Sequence, residues 1–272
     1  MLRALASHTV RPRSHDDLFP PMPSNTTAAA IAALPDLCRA TLAGADGRYI
    51  NIDSAAIQAY AERLTAAEMD ALMPLPPAPA EAAAPPAERV ALIMAQMAVN
   101  FCYFPTIGDA RWWVLSVETG EPIGQDDEAN AMTAALKTVW LQQLAVGEGF
   151  GSGSFLAALA DDAAAELFKP APGAGVLPML AQRAAALREL GAALLSAGGV
   201  TAFFAQAGGD AASLAGLLAS ACPTFDDKRH SGGTAEAPRV LRFLKRAQLC
   251  AGALAGAALP GFELAGVERL TV

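Results

Sequence analysis

The chain has 272 residues, of which 53% are hydrophobic and 17% charged, and 27 acidic against 19 basic side chains give a net charge of −8. This length suffices for one large or two small domains with a hydrophobic core. The acidic balance argues against a protein that wraps duplex nucleic acid, because neutralising phosphates requires clustered Lys and Arg, although a single nucleotide can still bind. Abundant Ala and Gly, an aromatic content of 6% and few β-branched runs predict a mainly helical fold.

The first 44 residues differ in character from the rest of the chain. Five prolines interrupt them, and residues 1–15 contain three arginines but no acidic side chain. That bias is found in organelle transit peptides, but a disordered leader on a cytoplasmic protein is the preferred interpretation. We therefore expect a leader over 1–44, with an organelle as the alternative location, and a compact domain over 45–272.

The first predicted elements of this domain are a short strand over 48–53 and a helix that begins at Ser54. The strand is predicted by the alternation in Arg48-Tyr-Ile-Asn-Ile-Asp53, and the helix by the spacing of Ile57, Tyr60 and Leu64. A proline-rich linker over Met73–Pro86 follows, and its composition predicts an extended connection without helix or central strand.

The remainder is predicted to be helical apart from one hairpin. A helix over Ala87–Val99 precedes Arg111–Val117, and the Glu118-Thr-Gly-Glu121 turn after it predicts a small β-hairpin, the only convincing β element of the sequence. Five further helices are predicted from apolar spacing, and Gly198-Gly199 marks the end of the third. These helices cover 127–144, 153–168, 176–197, 210–221 and 239–258.

Few side chains are available for a metal site or for nucleophilic catalysis. The cysteines form no Cys-x-x-Cys pair, and the three histidines lie at positions 8, 15 and 230. We therefore predict free thiols in a reducing compartment, no metal site and no serine or cysteine nucleophile with a histidine base. No run reaches the roughly 18–20 apolar residues of a membrane span, so no membrane association is expected.

Two segments have local patterns that resemble functional sites. Gly147-Glu-Gly-Phe-Gly-Ser-Gly153 is similar to a phosphate-binding loop, but a helix precedes it instead of a strand, which favours a flexible connection. Cys222-Pro-Thr-Phe-Asp-Asp-Lys-Arg-His230 brings carboxylates, an aromatic ring and cations together after an apolar helix. By its local pattern alone, this second segment is best interpreted as a solvated, Asp-capped turn.

Several blocks in order along the chain resemble the queuosine salvage protein family, hydrolases that release the base queuine from queuosine 5′-phosphate. The resemblance extends from about residue 45 to the end and is strongest where a Phe-x-Asp block precedes a Lys-Arg-Ala-Gln block. The matching segments are Arg48–Asp53, Asn100-Phe-Cys-Tyr-Phe104, the Trp112-Trp113 hairpin, Leu177-Pro-Met-Leu-Ala-Gln-Arg183, Leu187–Gly191, Cys222–Asp227 and Phe243-Leu-Lys-Arg-Ala-Gln-Leu249.

The resemblance implies a mainly helical, glycosylase-like fold and a hydrolytic site without metal or redox cofactor. Hydrolysis of an N-glycosidic bond builds positive charge on the ribose, which a carboxylate stabilises. Asp227 matches a base-contacting carboxylate of the family and is the candidate catalytic carboxylate within this chain. Phe225 is expected to stack on the base, and Lys245 or Arg246 to meet a phosphate or to hold Asp227. A packed helix face is the alternative for that cation pair. Further substrate contacts are expected from Tyr49, Asn100, Phe101 and Asp226.

The chain also departs from the family pattern. Tyr49 replaces a histidine that contacts the base, and Ala253 and Ala255 replace an aspartate and a tryptophan. Val272 precedes the point where the family continues into a Phe-Ala-Asp-Tyr-Arg motif with the catalytic aspartate, so a C-terminally truncated domain is expected. The resemblance therefore implies either a queuosine 5′-phosphate hydrolase or a degenerate member that binds nucleoside or queuine without turnover. An alanine-rich scaffold and a tRNA-binding protein are less favoured, and the oligomeric state is left open.

Overall fold

A computed structural model describes residues 79–102, 110–116, 119–125, 128–234, 237–242, 244–267 and 270, together with Ala59 and Arg63. In these parts of the chain, helices build the core and the strands form two small antiparallel pairs. The mainly helical class predicted from composition is confirmed. The leader over 1–44 and the strand over 48–53 lie outside the described residues, and Ala59 and Arg63 are the described positions of the helix predicted from Ser54.

The helices within the described residues are numbered here in chain order. They are α1 (Pro79–Ala82), α2 (Pro86–Ala98), α3 (Glu128–Ala145), α4 (Ser154–Ala157), α5 (Asp161–Leu167), α6 (Leu180–Ala197), α7 (Val200–Ala205), α8 (Ala211–Ala221) and α9 (Lys245–Ala257). A 3-10 turn over Pro223–Phe225 follows α8. None of the described helices has the length and apolar character required to cross a membrane.

Helices α2 and α6 form the centre of the fold. Helix α2 begins with proline in its first turn, where no amide donor is needed, and buries an apolar face that includes Val90 and Met94. Helix α6 packs against α2, α4, α5 and α7, while α9 packs against α2 and α8. Small residues permit these close approaches: a Cβ added to Gly191 would lie 2.2 Å from the Ala157 amide nitrogen.

Two hairpins interrupt the helical order. Strands β1 (Val114–Leu115) and β2 (Pro122–Ile123) pair antiparallel at the predicted position. A second pair, β3 (Lys228–Thr234) and β4 (Ala237–Arg242), was not predicted from the sequence. Its first strand is Lys-Arg-His-Ser-Gly-Gly-Thr, whose polar composition lacks the apolar alternation that identifies strands.

Three predicted helices and the predicted linker differ from the structure. Helix α9 begins at Lys245 because the residues from Ala237 to Arg242 pair as a strand, and Leu244 is left-handed with φ of 45°. The helix predicted over 153–168 is interrupted between Ala157 and Asp161, and α6 begins only after Pro178. The predicted linker contains α1, because proline is tolerated in a first helical turn and the Ala-Glu-Ala run that follows favours helix.

Candidate functional site

Asp227 and Arg246 form the ionic centre of the candidate site. Oδ1 of Asp227 accepts hydrogen bonds from Nε and Nη2 of Arg246 at 3.0 and 2.9 Å, and Oδ2 accepts one from the Arg246 backbone amide at 2.9 Å. Both side chains are mostly buried, with 14% and 25% of their surfaces exposed for the arginine and the aspartate. The first turn of α9 is thereby joined to the segment that follows the 3-10 turn.

The other N–H groups of Arg246 are directed at protein atoms as well. Nη1 donates to the Ala98 carbonyl at 2.9 Å and to Oγ1 of Thr224 at 3.1 Å, and Nη2 also donates to the Thr224 carbonyl. An arginine has five N–H donors, and all five are therefore directed at protein acceptors here. Of the two roles expected for this arginine, the geometry favours holding Asp227 over direct phosphate binding.

A second arginine, Arg183 of α6, holds the segment that ends helix α2. Its guanidinium donates to the carbonyls of Val99, Phe101 and Cys102, the last at 2.9 Å, and its Nε donates to Pro178 at 3.0 Å. The residue is fully buried. We name residues 98–102 the α2 exit turn, since Arg183 and Arg246 together bind four of its five carbonyls.

The ring of Phe101 lies between these features. The guanidinium carbons of Arg183 and Arg246 are 4.6 and 4.8 Å from its centroid. A cation within about 6 Å of an aromatic centroid is attracted to the ring, more strongly where water is excluded. The Phe101 ring therefore makes cation–π contacts with both arginines of the protein itself.

A cleft of about 430 Å³ opens beside the α2 exit turn. Two amide side chains, Asn100 and Gln248, line it, and Gln248 is buried. The remainder of the wall is apolar or small. It consists of Met97, Leu249, Gly252, Ala253, Val267 and Leu270. Small-molecule sites usually have such a lining, mostly apolar with a few polar groups.

Three residues with positive φ surround the two arginines. Cys102, Met179 and Leu244 have φ of 50°, 56° and 45°, a region that non-glycine residues seldom adopt. Cys102 ends the α2 exit turn, Met179 precedes α6, and Leu244 precedes Lys245 and Arg246. Each such conformation costs on the order of 1–3 kcal/mol and persists where neighbouring contacts enforce it. Arg183 supplies such contacts to the Cys102 carbonyl and to the carbonyl of Pro178, which precedes Met179.

The structure brings some of the predicted site residues together and separates others. Asn100 lines the cleft, Phe101 contacts the arginines, Asp226 is half-buried next to Asp227, and Lys245 is exposed at the start of α9. Tyr49 lies outside the described residues.

Phe225, the residue expected to stack on the base, is fully buried in the hydrophobic core. The 3-10 turn that contains it packs against α6, α8 and α9, which explains the burial. Phe225 thus anchors in the core the turn that directly precedes Asp226 and Asp227.

The glycine-rich loop 147–153 binds an anion that belongs to the protein itself. The carboxylate of Glu88 accepts hydrogen bonds from the Phe150 amide at 2.7 Å, the Gly151 amide at 3.1 Å and Nε1 of Trp140 at 3.3 Å. A Cβ on Gly149 or Gly151 would come within 2.5 Å of that carboxylate. The interpretation as a flexible connection is therefore wrong, because Glu88 fastens the loop to α2.

Of the described cysteines, Cys222 and Cys250 are buried and Cys102 is exposed. Burial, with the nearby charge of Glu189 second, raises the pKa of the Cys222 thiol to about 12, and burial also raises that of Cys250. Neither thiol ionises near neutral pH, so neither provides a nucleophile there. Within the described ranges, no three His, Cys, Asp or Glu side chains are grouped in a way that could hold a metal ion.

Sequence reasoning assigned no role to Arg183, Gln248 or Glu88. Arg183 and Gln248 occur in the two blocks that resemble family motifs, which was the available signal for them. Glu88 gave no signal, because its acceptor role depends on amides more than sixty residues away in sequence.

The chain matches the queuosine salvage protein family over residues 80–270, which is more than half of its length. The chain belongs to this family. The resemblance identified from the sequence blocks is thereby confirmed, and the matched range includes α2, the α2 exit turn, Asp227 and α9.

The chain is also similar to a protein that is named for an activity. The queuosine 5′-phosphate N-glycosylase/hydrolase of Sphaerobacter thermophilus is 33% identical to the chain over 175 residues. The alignment covers 64% of this chain and 48% of that protein. The chain thus spans about half the length of this queuosine salvage relative.

Proposed function

We propose that this protein hydrolyses the N-glycosidic bond of queuosine 5′-phosphate and releases queuine. The family and the named activity of the Sphaerobacter relative support this reaction class. The structural observation that carries the proposal is the Asp227–Arg246 ion pair, joined through the α2 exit turn to a cleft lined by two amides. The substrate is a free nucleotide, in agreement with an acidic chain that lacks the charge for duplex binding.

In this proposal, Asp227 supplies the negative charge that the reaction needs. Cleavage of the bond between ribose and base leaves the sugar oxocarbenium-like, and a fixed carboxylate stabilises it without reorganisation. Arg246 acts as a positioning residue because it holds both carboxylate oxygens in place. Asp226, on the same turn, is the candidate to orient the attacking water.

The cleft provides the binding groups in this proposal. Side-chain amides both donate and accept hydrogen bonds, so Asn100 and Gln248 can pair with the polar edge of a heterocyclic base. The apolar wall accepts the planar faces of the base. Lys245, exposed at the start of α9, is the candidate to meet the 5′-phosphate.

A second candidate function is binding of queuine or its nucleoside without turnover. The observation that favours it is Ala253, which lines the cleft at the position where the family pattern has an aspartate. The described residues that line the cleft include two amides and no carboxylate, so the cleft can bind a base and still fail to stabilise a cationic sugar. The cytoplasmic location expected from the sequence remains a prediction under either function.

Mass-spectrometric detection of queuine released from queuosine 5′-phosphate tests the first function. We expect wild-type turnover and a loss of about 10²–10³-fold in kcat for Asp227→Asn, the size typical of a lost electrostatic stabiliser. Asp162→Asn, a change at an exposed carboxylate of α5, is the matched control and is expected to retain wild-type turnover. Queuine binding without release by the wild type would support the second function, and absence of both would reject the two together.

A further inference from the structure

We propose that Arg183 is a positioning residue that holds Asn100 in the cleft for contact with the base. This inference rests on the proposed function, because it assigns a role to a residue within the same site. Arg183 lies on α6 and does not line the cleft; its effect is transmitted through the backbone of the α2 exit turn.

The carbonyls at the end of helix α2 are bound by both arginines. The last carbonyls of a helix have no partners within it, and when buried they must find donors elsewhere. Arg246 supplies a donor to Ala98, and Arg183 supplies donors to Val99, Phe101 and Cys102. The helix thus ends on two cations, which also suit the negative end of its dipole.

The position of Asn100 within this arrangement gives the arginine its role. Arg183 binds the carbonyl before Asn100 and the two carbonyls after it, so the backbone on both sides of Asn100 is held. The side chain of Asn100 lines the cleft with Gln248. The turn ends at Cys102 with φ of 50°, a conformation that relaxes unless its carbonyl is held.

Only an arginine can make this set of bonds. The guanidinium is planar and presents its donors in a fixed fork, whereas the lysine ammonium is a single compact group on a flexible stem. Burying a full positive charge is also costly compared with an apolar side chain of similar volume. An apolar side chain would be enough to fill this buried position of α6. The need for a forked set of hydrogen-bond donors therefore explains why a charged arginine is found there.

The first test is a double-mutant cycle on queuine affinity. We expect Arg183→Lys and Asn100→Ala each to weaken queuine binding about tenfold, and the double variant to bind no worse than Asn100→Ala alone, because the two changes remove one interaction. A KM increase with a smaller change in kcat is expected for turnover. Arg188→Lys is the matched control, since Arg188 lies on the same helix and bonds to Leu159 and Asp161 away from the cleft.

The second test does not depend on the ligand. The backbone amide of Asn100 donates to the Met97 carbonyl at 3.2 Å and that of Phe101 to the Val99 carbonyl at 2.9 Å. Hydrogen exchange at these two amides therefore reports how well the α2 exit turn is held. We expect exchange at these amides to accelerate at least tenfold in Arg183→Lys and to remain unchanged in Arg188→Lys. Hydrogen exchange within α3 that matches the wild type shows that the variant is folded.

The outcomes separate this inference from the proposed function. Faster exchange together with a non-additive loss of affinity supports it. Unchanged exchange in a folded Arg183→Lys, or losses that add fully with those of Asn100→Ala, overturns it. If the wild type binds no queuine and releases none, the proposed function fails, and the exchange result still decides whether Arg183 holds the turn.

Discussion

Arg246 binds Asp227 twice over, through its guanidinium to Oδ1 and through its own backbone amide to Oδ2. The amide belongs to the first turn of α9, where helical N–H groups lack partners and favour a negative charge. Asp227 therefore satisfies a helix start and neutralises a buried cation in one contact. Removing either residue leaves the other with buried groups that have lost their partners.

Arg246→Ala is expected to destabilise the protein by about 3 kcal/mol, the lower end of the range for breaking a buried ion pair by removing one partner. It leaves the carboxylate of Asp227 and the carbonyls of Ala98 and Thr224 without these donors. The unfolding midpoint in urea measures the change. Arg188→Ala, which removes a much more exposed pair with Asp161, is the control and is expected to cost below about 1 kcal/mol. Equal losses in the two variants would contradict this account of the site.

Glu88→Ala is expected to loosen the glycine-rich loop. The change leaves the amides of Phe150 and Gly151 and the indole N–H of Trp140 without their acceptor, at a cost of about 1–3 kcal/mol for each buried unsatisfied group. Hydrogen exchange at residues 150 and 151 and the urea midpoint measure the effect. Glu166→Ala, at an exposed pair with Lys169, is the control and is expected to change neither quantity. Unaltered exchange at the loop amides in Glu88→Ala would show that the carboxylate does not hold it.

Two helical glycines are expected to respond oppositely to alanine. In Gly191→Ala the new Cβ would lie 2.2 Å from the backbone nitrogen of Ala157, so α4 and α6 must separate, at a cost of about 1–3 kcal/mol. Gly256→Ala in α9 meets no atom within 4 Å and should gain about 0.5–1 kcal/mol from helix propensity. Thermal unfolding of the two variants and the wild type measures the expected loss of stability in the first and the expected gain in the second. A stabilised Gly191→Ala would mean that the two helices do not pack this closely.

Stability is expected to fall as the pH rises above 9. The pKa of the Cys222 thiol is about 12 in the folded protein, against an ordinary value of 9.0, with burial as the first cause. Between these values the unfolded chain releases the proton while the folded one retains it, so unfolding becomes more favourable with rising pH. Urea unfolding at pH 8 to 10.5 measures the slope. Cys222→Ala should reduce this alkaline loss, whereas a slope identical to that of the wild type would contradict the burial of this thiol.

Local sequence patterns determined the helical class, the hairpin after Trp112 and the family. Apolar spacing predicts α2, α3 and α8 closely, because each of these helices buries one face along a regular period. The block that contains Lys245, Arg246 and Gln248 also pointed to a site near the start of α9. These features depend on residues close together in the chain, so the printed sequence was enough to predict them.

The contacts that build the site were decided by the tertiary structure. Arg183 and Arg246 both bind the α2 exit turn, yet they are more than eighty residues away from it in sequence. The same holds for Glu88, whose partners lie in α3 and in the loop after it. It also holds for Phe225, which the packing of α6, α8 and α9 encloses in the core. A buried polar group needs a hydrogen-bond partner, and that partner can come from any part of the chain that lies nearby in the fold. The spacing of residues in the sequence does not predict which part that is.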